Sequence, residues 1–122
     1  MNMDLKTARA ETLQAFSTFW EAGDIAGVID CFSPDAEYFS SVGPYPGERA
    51  KGHAEISNLI SRMIAHDRVA KMEILNVQQS RDTAFWTWRY TDQTTAQILG
   101  CDLFKFDGAK IALKDAYRKV QA

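Results

Sequence analysis

Thr83-Ala84-Phe85-Trp86-Thr87-Trp88-Arg89-Tyr90 places a large aromatic residue at every second position over its latter half. A period of two puts Trp86, Trp88 and Tyr90 on one face of a strand, and Phe85, Thr87 and Arg89 on the other. Strand-like segments surround it, near 70–79, 83–93, 97–107 and 110–120. They are divided by Ser80-Arg81-Asp82, a polar stretch from Asp92 to Thr95, and Asp107-Gly108. Gaps this short favour antiparallel hairpins, because a parallel crossover needs about a dozen residues or more.

Helical spacing dominates upstream. Asp4 can N-cap a helix reaching about Ala22, with Leu13, Phe16 and Trp20 on one face and Gly23 placed to end it. Asp24 can cap a second, short helix in which Ile25, Val28, Ile29 and Phe32 share a face, and Ser33-Pro34-Asp35 should stop it. Ala36 to Val42 reads as a first strand and Gly43-Pro44-Tyr45-Pro46-Gly47 as a loop. A third helix begins near Gly52, where Ile56, Leu59, Ile60, Met63 and Ile64 form one apolar stripe. Helices first and strands later imply one α+β domain spanning 1–122, with a curved antiparallel sheet around an aromatic pocket.

The 122 residues suffice for one core, and 46% hydrophobic content argues against disorder. A net charge of −2 without a Lys/Arg run offers no footprint for nucleic acid. No stretch has the apolar length of a membrane span, and Met1-Asn2-Met3-Asp4-Leu5-Lys6 lacks the features of a signal peptide, so a cytoplasmic protein is expected. Cys31 and Cys101 read as free thiols, and His53 and His66 are too isolated for a metal site. No metal and no cofactor is expected.

Asp102 alternates with Phe104 and Phe106, so a carboxylate shares a face with two rings. An isolated charge there would be costly; such an Asp is paired, faces a wet cavity, or is held neutral. In the last strand Ile111, Leu113, Asp115, Tyr117 and Lys119 share one face, and Ala112, Lys114, Ala116 and Arg118 the other. Lys119 is then the candidate partner of Asp102, either in a site or in a purely structural pair. A single β-bulge in this strand would turn Lys114 and Arg118 inward instead.

Several motifs resemble the nuclear-transport-factor-2-like superfamily, particularly its SnoaL-like branch. They are Trp20-Glu21-Ala22-Gly23-Asp24-Ile25, Phe32-Ser33-Pro34-Asp35-Ala36, Gly52-His53-Ala54-Glu55-Ile56, and Gly100 to Gly108 leading into Lys110-Ile111. The resemblance implies a cone-shaped α+β fold (NTF2-like, cystatin-like), its mixed sheet and three helices enclosing a pocket, and often a homodimer through the outer sheet face. It does not fix function, because sites rather than folds do that. Asp102 matches the position where ketosteroid isomerases of this fold keep a protonated Asp. Their base and oxyanion tyrosine correspond here to Ser40 and Phe16, which argues against that reaction. SnoaL-type cyclases use a His with an Asp, for which His53 is the candidate. Epoxide hydrolases use an Asp–Arg–Asp set, for which Asp102, Arg89 and Asp115 are the right types, although Arg89 should point away from Trp88.

The leading expectation is a binder of a small, largely apolar or aromatic molecule. Trp20, Phe32, Tyr38, His53, Trp86, Trp88, Tyr90, Phe104 and Asp115 are the candidate ligand-binding residues. Asp102 and Lys119 would orient the ligand, with Tyr117 as hydroxyl donor. A second expectation makes these three catalytic, with Asp102 as the acid or base of an isomerisation, dehydration or cyclisation. A third makes the domain a dimeric interaction module without a ligand, with Phe85 and Leu103 on its partner surface.

Overall fold

The computed structural model describes residues 4–67, 71–91 and 98–119. Helix α1 (Leu5–Ala22) starts where Asp4 accepts the Thr7 backbone N–H at 2.9 Å. It ends at Gly23, whose left-handed φ of 71° lets its N–H reach the last carbonyls. Helix α2 (Ile25–Asp30) is capped by Asp24, as its spacing predicts. It stops earlier than Ser33-Pro34-Asp35, and strand β1 (Phe32–Phe39) begins at once, so Phe32 lies on a strand. Proline is tolerated in β1 because its ladder to the neighbouring strand is interrupted between Phe32 and Glu37.

A loop then leads to the three-residue β2 (Arg49–Lys51), too short for any periodicity to announce. In that loop Gly47 has φ 128°, and a Cβ there would fall 1.8 Å from the Ser40 carbonyl oxygen. Helix α3 (Gly52–Asp67) follows. Ile56, Leu59 and Ile60 are fully buried and Met63 nearly so, which is the stripe expected from the sequence. Strands β3 (Lys71–Ser80), β4 (Thr83–Thr91), β5 (Ile98–Asp107) and β6 (Lys110–Arg118) come next. The expected turn from Asp92 to Thr95 lies outside the described residues.

The strands form one sheet in the order β2-β1-β6-β5-β4-β3, antiparallel except where β1 runs parallel to β6. Helix α1 touches both β3 and β6, while α3 lies on β1 and β2, so the sheet wraps around the helices as a cone. Phe16 at the centre of α1 packs within 6.0 Å, centroid to centroid, of Trp20, Phe32, Trp86 and Phe104. Arg9 anchors the same helix: its Nε donates to the Gly108 carbonyl and its Nη1 to the Arg81 carbonyl, both at 2.8 Å. These carbonyls belong to two hairpin turns, so one buried side chain ties α1 to both.

The facing of β6 is the main departure from a plain alternation. Lys105 pairs with Leu113 but Phe106 with Ile111, leaving Ala112 as an extra residue in β6. Ile111 and Lys114 therefore both point inward, and Ala116 and Arg118 follow Lys114. The simple alternation that put Asp115, Tyr117 and Lys119 beside Asp102 is corrected by this bulge.

Candidate functional site

Inside the cone a polar cluster sits among rings. Asp102 is 4% exposed, and its Oδ2 accepts the Trp86 indole N–H at 2.6 Å. Lys114, also 4% exposed, puts Nζ 3.4 Å from Asp102 Oδ1 and donates to the Tyr38 hydroxyl at 2.9 Å. The longer contact is an ion pair without hydrogen-bond geometry, so Oδ1 keeps an unfilled acceptor position. The Lys114 ammonium also lies 4.3 Å from the Tyr38 ring centre, 5.4 Å from Trp20 and 5.7 Å from Phe16. Ring faces attract a cation that has lost its water, so this cage offsets part of the burial cost. Trp20 Nε1 donates to the Tyr90 hydroxyl at 3.1 Å.

Burial pulls the Lys114 ammonium toward deprotonation, but the Asp102 carboxylate and then Tyr38 outweigh it and hold the lysine above its ordinary value. Burial also raises the Tyr38 phenol, against an opposing effect of Lys114. Near neutral pH the two groups are thus hydrogen-bond donors, not bases.

Arg118 stands at the rim of this cluster. Its guanidinium carbon lies 5.7 Å from the Trp88 ring centre, and its Nε is buried without a hydrogen-bond partner. The remaining interior cavity is small, about 20 Å³, bounded by Trp20, Tyr38, Trp88, Asp102, Lys114 and Arg118 among others. That is room for about one water. Met63 and Arg118 also border a larger groove of about 320 Å³, formed with Val42, Gly43, Glu48, Leu59 and Arg62. Glu48 and Arg62 are paired there through two bonds, at 2.6 and 3.0 Å.

Of the residues expected at a site, Trp20, Tyr38, Trp86, Trp88, Tyr90 and Asp102 meet around the interior cavity. Phe32 and Phe104 are fully buried deeper in the core against Phe16. His53 is elsewhere: its Nε2 lies 3.0 Å from both the Phe32 and Ser33 carbonyls, so it donates there and pins α3 to β1. Asp115, Tyr117 and Lys119 are on the outer face, where the Tyr117 hydroxyl donates to Asp115 at 3.0 Å. Arg89 is also outside, paired with Glu73, so the Asp–Arg–Asp set is not assembled around Asp102. Lys114 and Arg118 enter in their place, through a bulge that no residue pattern marks.

A family model described as a SnoaL-like domain matches residues 13–114. The chain belongs to the SnoaL-like domain family. Its fold is shared with an NTF2-like protein of unknown function from Mesorhizobium loti, at 21% identity and TM-score 0.82, covering 98% of each chain. Bal32a from a soil-derived mobile gene cassette matches at 17% identity and TM-score 0.79, over 94% of this chain and 92% of that one. TerC, co-crystallised with polyporic acid, matches at 19% identity and TM-score 0.76, over 92% of both. No protein of curated function matches.

In this SnoaL-like domain the two positions compared with isomerase groups have local roles. Ser40 Oγ accepts the Val42 N–H at 3.4 Å and donates to the Val42 carbonyl at 3.2 Å, closing a turn. Phe16 is the hub of the aromatic core. Among the described residues no group of His, Cys, Asp and Glu is arranged to hold a metal ion, and no helix is long and apolar enough to cross a membrane. Cys31 and Cys101 are both free.

Proposed function

We propose that this SnoaL-like domain binds a small, largely apolar or aromatic molecule at the mouth of the cone. The observation that carries the reading is the adjacency of the groove of about 320 Å³ to the buried donors, the two sharing Met63 and Arg118 in their linings. The ligand's body lies in the groove, because the interior beyond has room for only about one water. Its polar end reaches Arg118 and, through that water, the Tyr38–Lys114–Asp102 cluster. Met63 and Met72 border the interior cavity, and unbranched thioethers repack readily around a guest. That TerC, a protein of this fold, has been co-crystallised with polyporic acid supports a small-molecule role.

Thermal-shift screening against small aromatic compounds tests the reading. At least one compound should raise Tm progressively with concentration, and Val42→Trp, which fills the groove, should abolish the effect. The absence of any shift across the library would overturn it. Proton-transfer catalysis is the second reading, favoured by the unfilled Asp102 Oδ1 beside the cavity. Turnover that disappears in Asp102→Asn would select it.

The outer sheet face supports a homodimer. Phe85, Leu103 and Leu113 line one hollow there of about 550 Å³, and Leu75, Phe85, Leu99 and Tyr117 another of about 440 Å³. Leu75, Leu103 and Tyr117 are each more than two-fifths exposed, and a second copy would cover them. A cytoplasmic setting fits the two free thiols.

A further inference from the structure

We propose that the molecule bound at the cone mouth is an organic anion, a carboxylate on an apolar body, and that Arg118 receives its charge; the inference rests on the ligand-binding reading above. The argument is one of charge and of hydrogen-bond capacity. Within the cone, Asp102 supplies one negative charge, while Lys114 and Arg118 supply two positive ones. Asp102 is committed to Lys114 by the 3.4 Å ion pair and to Trp86 by the 2.6 Å hydrogen bond. In the groove outside, Glu48 is committed to Arg62. Among the described residues no carboxylate forms an ion pair with Arg118, whose guanidinium lies over the Trp88 ring face. Among the described residues one cation is therefore left over, on the side chain that borders both the interior cavity and the groove.

Donors exceed acceptors as well, even with the unfilled Asp102 Oδ1 counted. Arg118 Nε is buried and unpartnered. The Tyr38 hydroxyl accepts from Lys114, and no described residue accepts its own hydrogen. A water in the interior cavity would accept one or two of these N–H and O–H groups but would leave the charge uncancelled. A carboxylate would do both, and the planar guanidinium fork matches it in two parallel hydrogen bonds. A neutral ligand of the same shape would leave Arg118 both desolvated and uncompensated, which costs more than leaving it beside water. The apolar side chains of Val42, Leu59 and Met63 around the groove suit the rest of such an acid.

The experiment compares 2-naphthoate with 2-naphthamide, two molecules of nearly equal shape that differ in charge, by isothermal titration calorimetry. The acid should bind the wild-type protein at least about tenfold more tightly than the amide, as expected for one charge-assisted pair. Arg118→Gln should collapse that preference while leaving amide binding little changed, and Arg118→Lys should retain part of it. Thermal melts of both variants establish that they fold, and Arg118→Lys carries the test if Arg118→Gln does not. Equal binding of acid and amide would overturn the anion inference and leave the binding site standing. A preference that survives in Arg118→Gln would overturn the assignment to Arg118. Binding of neither compound would overturn both the inference and the reading on which it rests.

Discussion

Lys114 and Asp102 form the pair on which the interior depends. Each is about 5% exposed at the side chain, so removing one leaves the other charged and out of water. Lys114→Met should cost about 3–5 kcal/mol of stability in urea unfolding. Lys114→Met/Asp102→Asn should recover a large part of that, since Asn keeps an oxygen for the Trp86 indole; a double variant no better than the single would contradict the pairing. The same variants have a signature in pH. Lys114 holds its proton more tightly folded than unfolded, so its contribution is complete below the ordinary lysine value of 10.5 and is lost as pH climbs from there through the folded value. Tyr38, raised from 10.0 by burial, acts in the same direction. Stability should thus fall above about pH 10, and the double variant should lose the Lys114 share of that slope. The need of Asp102 for a partner was legible in its apolar register. Which lysine answers it was not, because Lys114 and Lys119 sit on opposite faces and only the strand's phase decides between them.

Strand phase belongs to the scale of the element. In β4 and β5 the period of two holds throughout the inner-face aromatics, and Trp86, Trp88, Asp102, Phe104 and Phe106 all point inward as expected. In β6 the extra residue at Ala112 resets the alternation, and nothing in Ile111-Ala112-Leu113-Lys114 distinguishes a bulged strand from a plain one. The bulge is visible only once the partner strand fixes the register. A second feature of pairing lies opposite Trp88, where the indole covers Gly100. A Cβ at Gly100 would fall 2.2 Å from Trp88 Cζ2 and 2.4 Å from the Tyr117 carbonyl oxygen. Gly100→Ala should therefore destabilise by about 1–3 kcal/mol through forced displacement of Trp88. The exposed neighbour variant Lys105→Ala should stay within about 0.5 kcal/mol. Equal effects of the two in urea unfolding would mean that Trp88 does not lie over Gly100.

At the scale of the whole molecule, helix stripes and strand spacing made the α+β class legible, because burial of one face leaves a period in the sequence, and the cone was what the family resemblance implied. Occupancy of the interior leaves none: the same rings that read as pocket walls leave room inside for about one water, and the wider groove is bordered by Val42, Glu48, Leu59 and Arg62. The outer face carries the prediction for assembly. Native mass spectrometry should give the dimer mass for the wild-type chain and the monomer mass for Leu103→Glu, which places a charge in the apolar hollow. A monomeric wild-type chain would remove the dimer.

The most direct measurement of the central claim follows the indole N–H signals of the three tryptophans by ¹H–¹⁵N NMR while 2-naphthoate is added. Binding at the cone mouth predicts a saturable shift that is largest for Trp88, beneath Arg118, with a smaller one for Trp86, whose N–H is held by Asp102. Three unmoved indole signals at saturating ligand would contradict it.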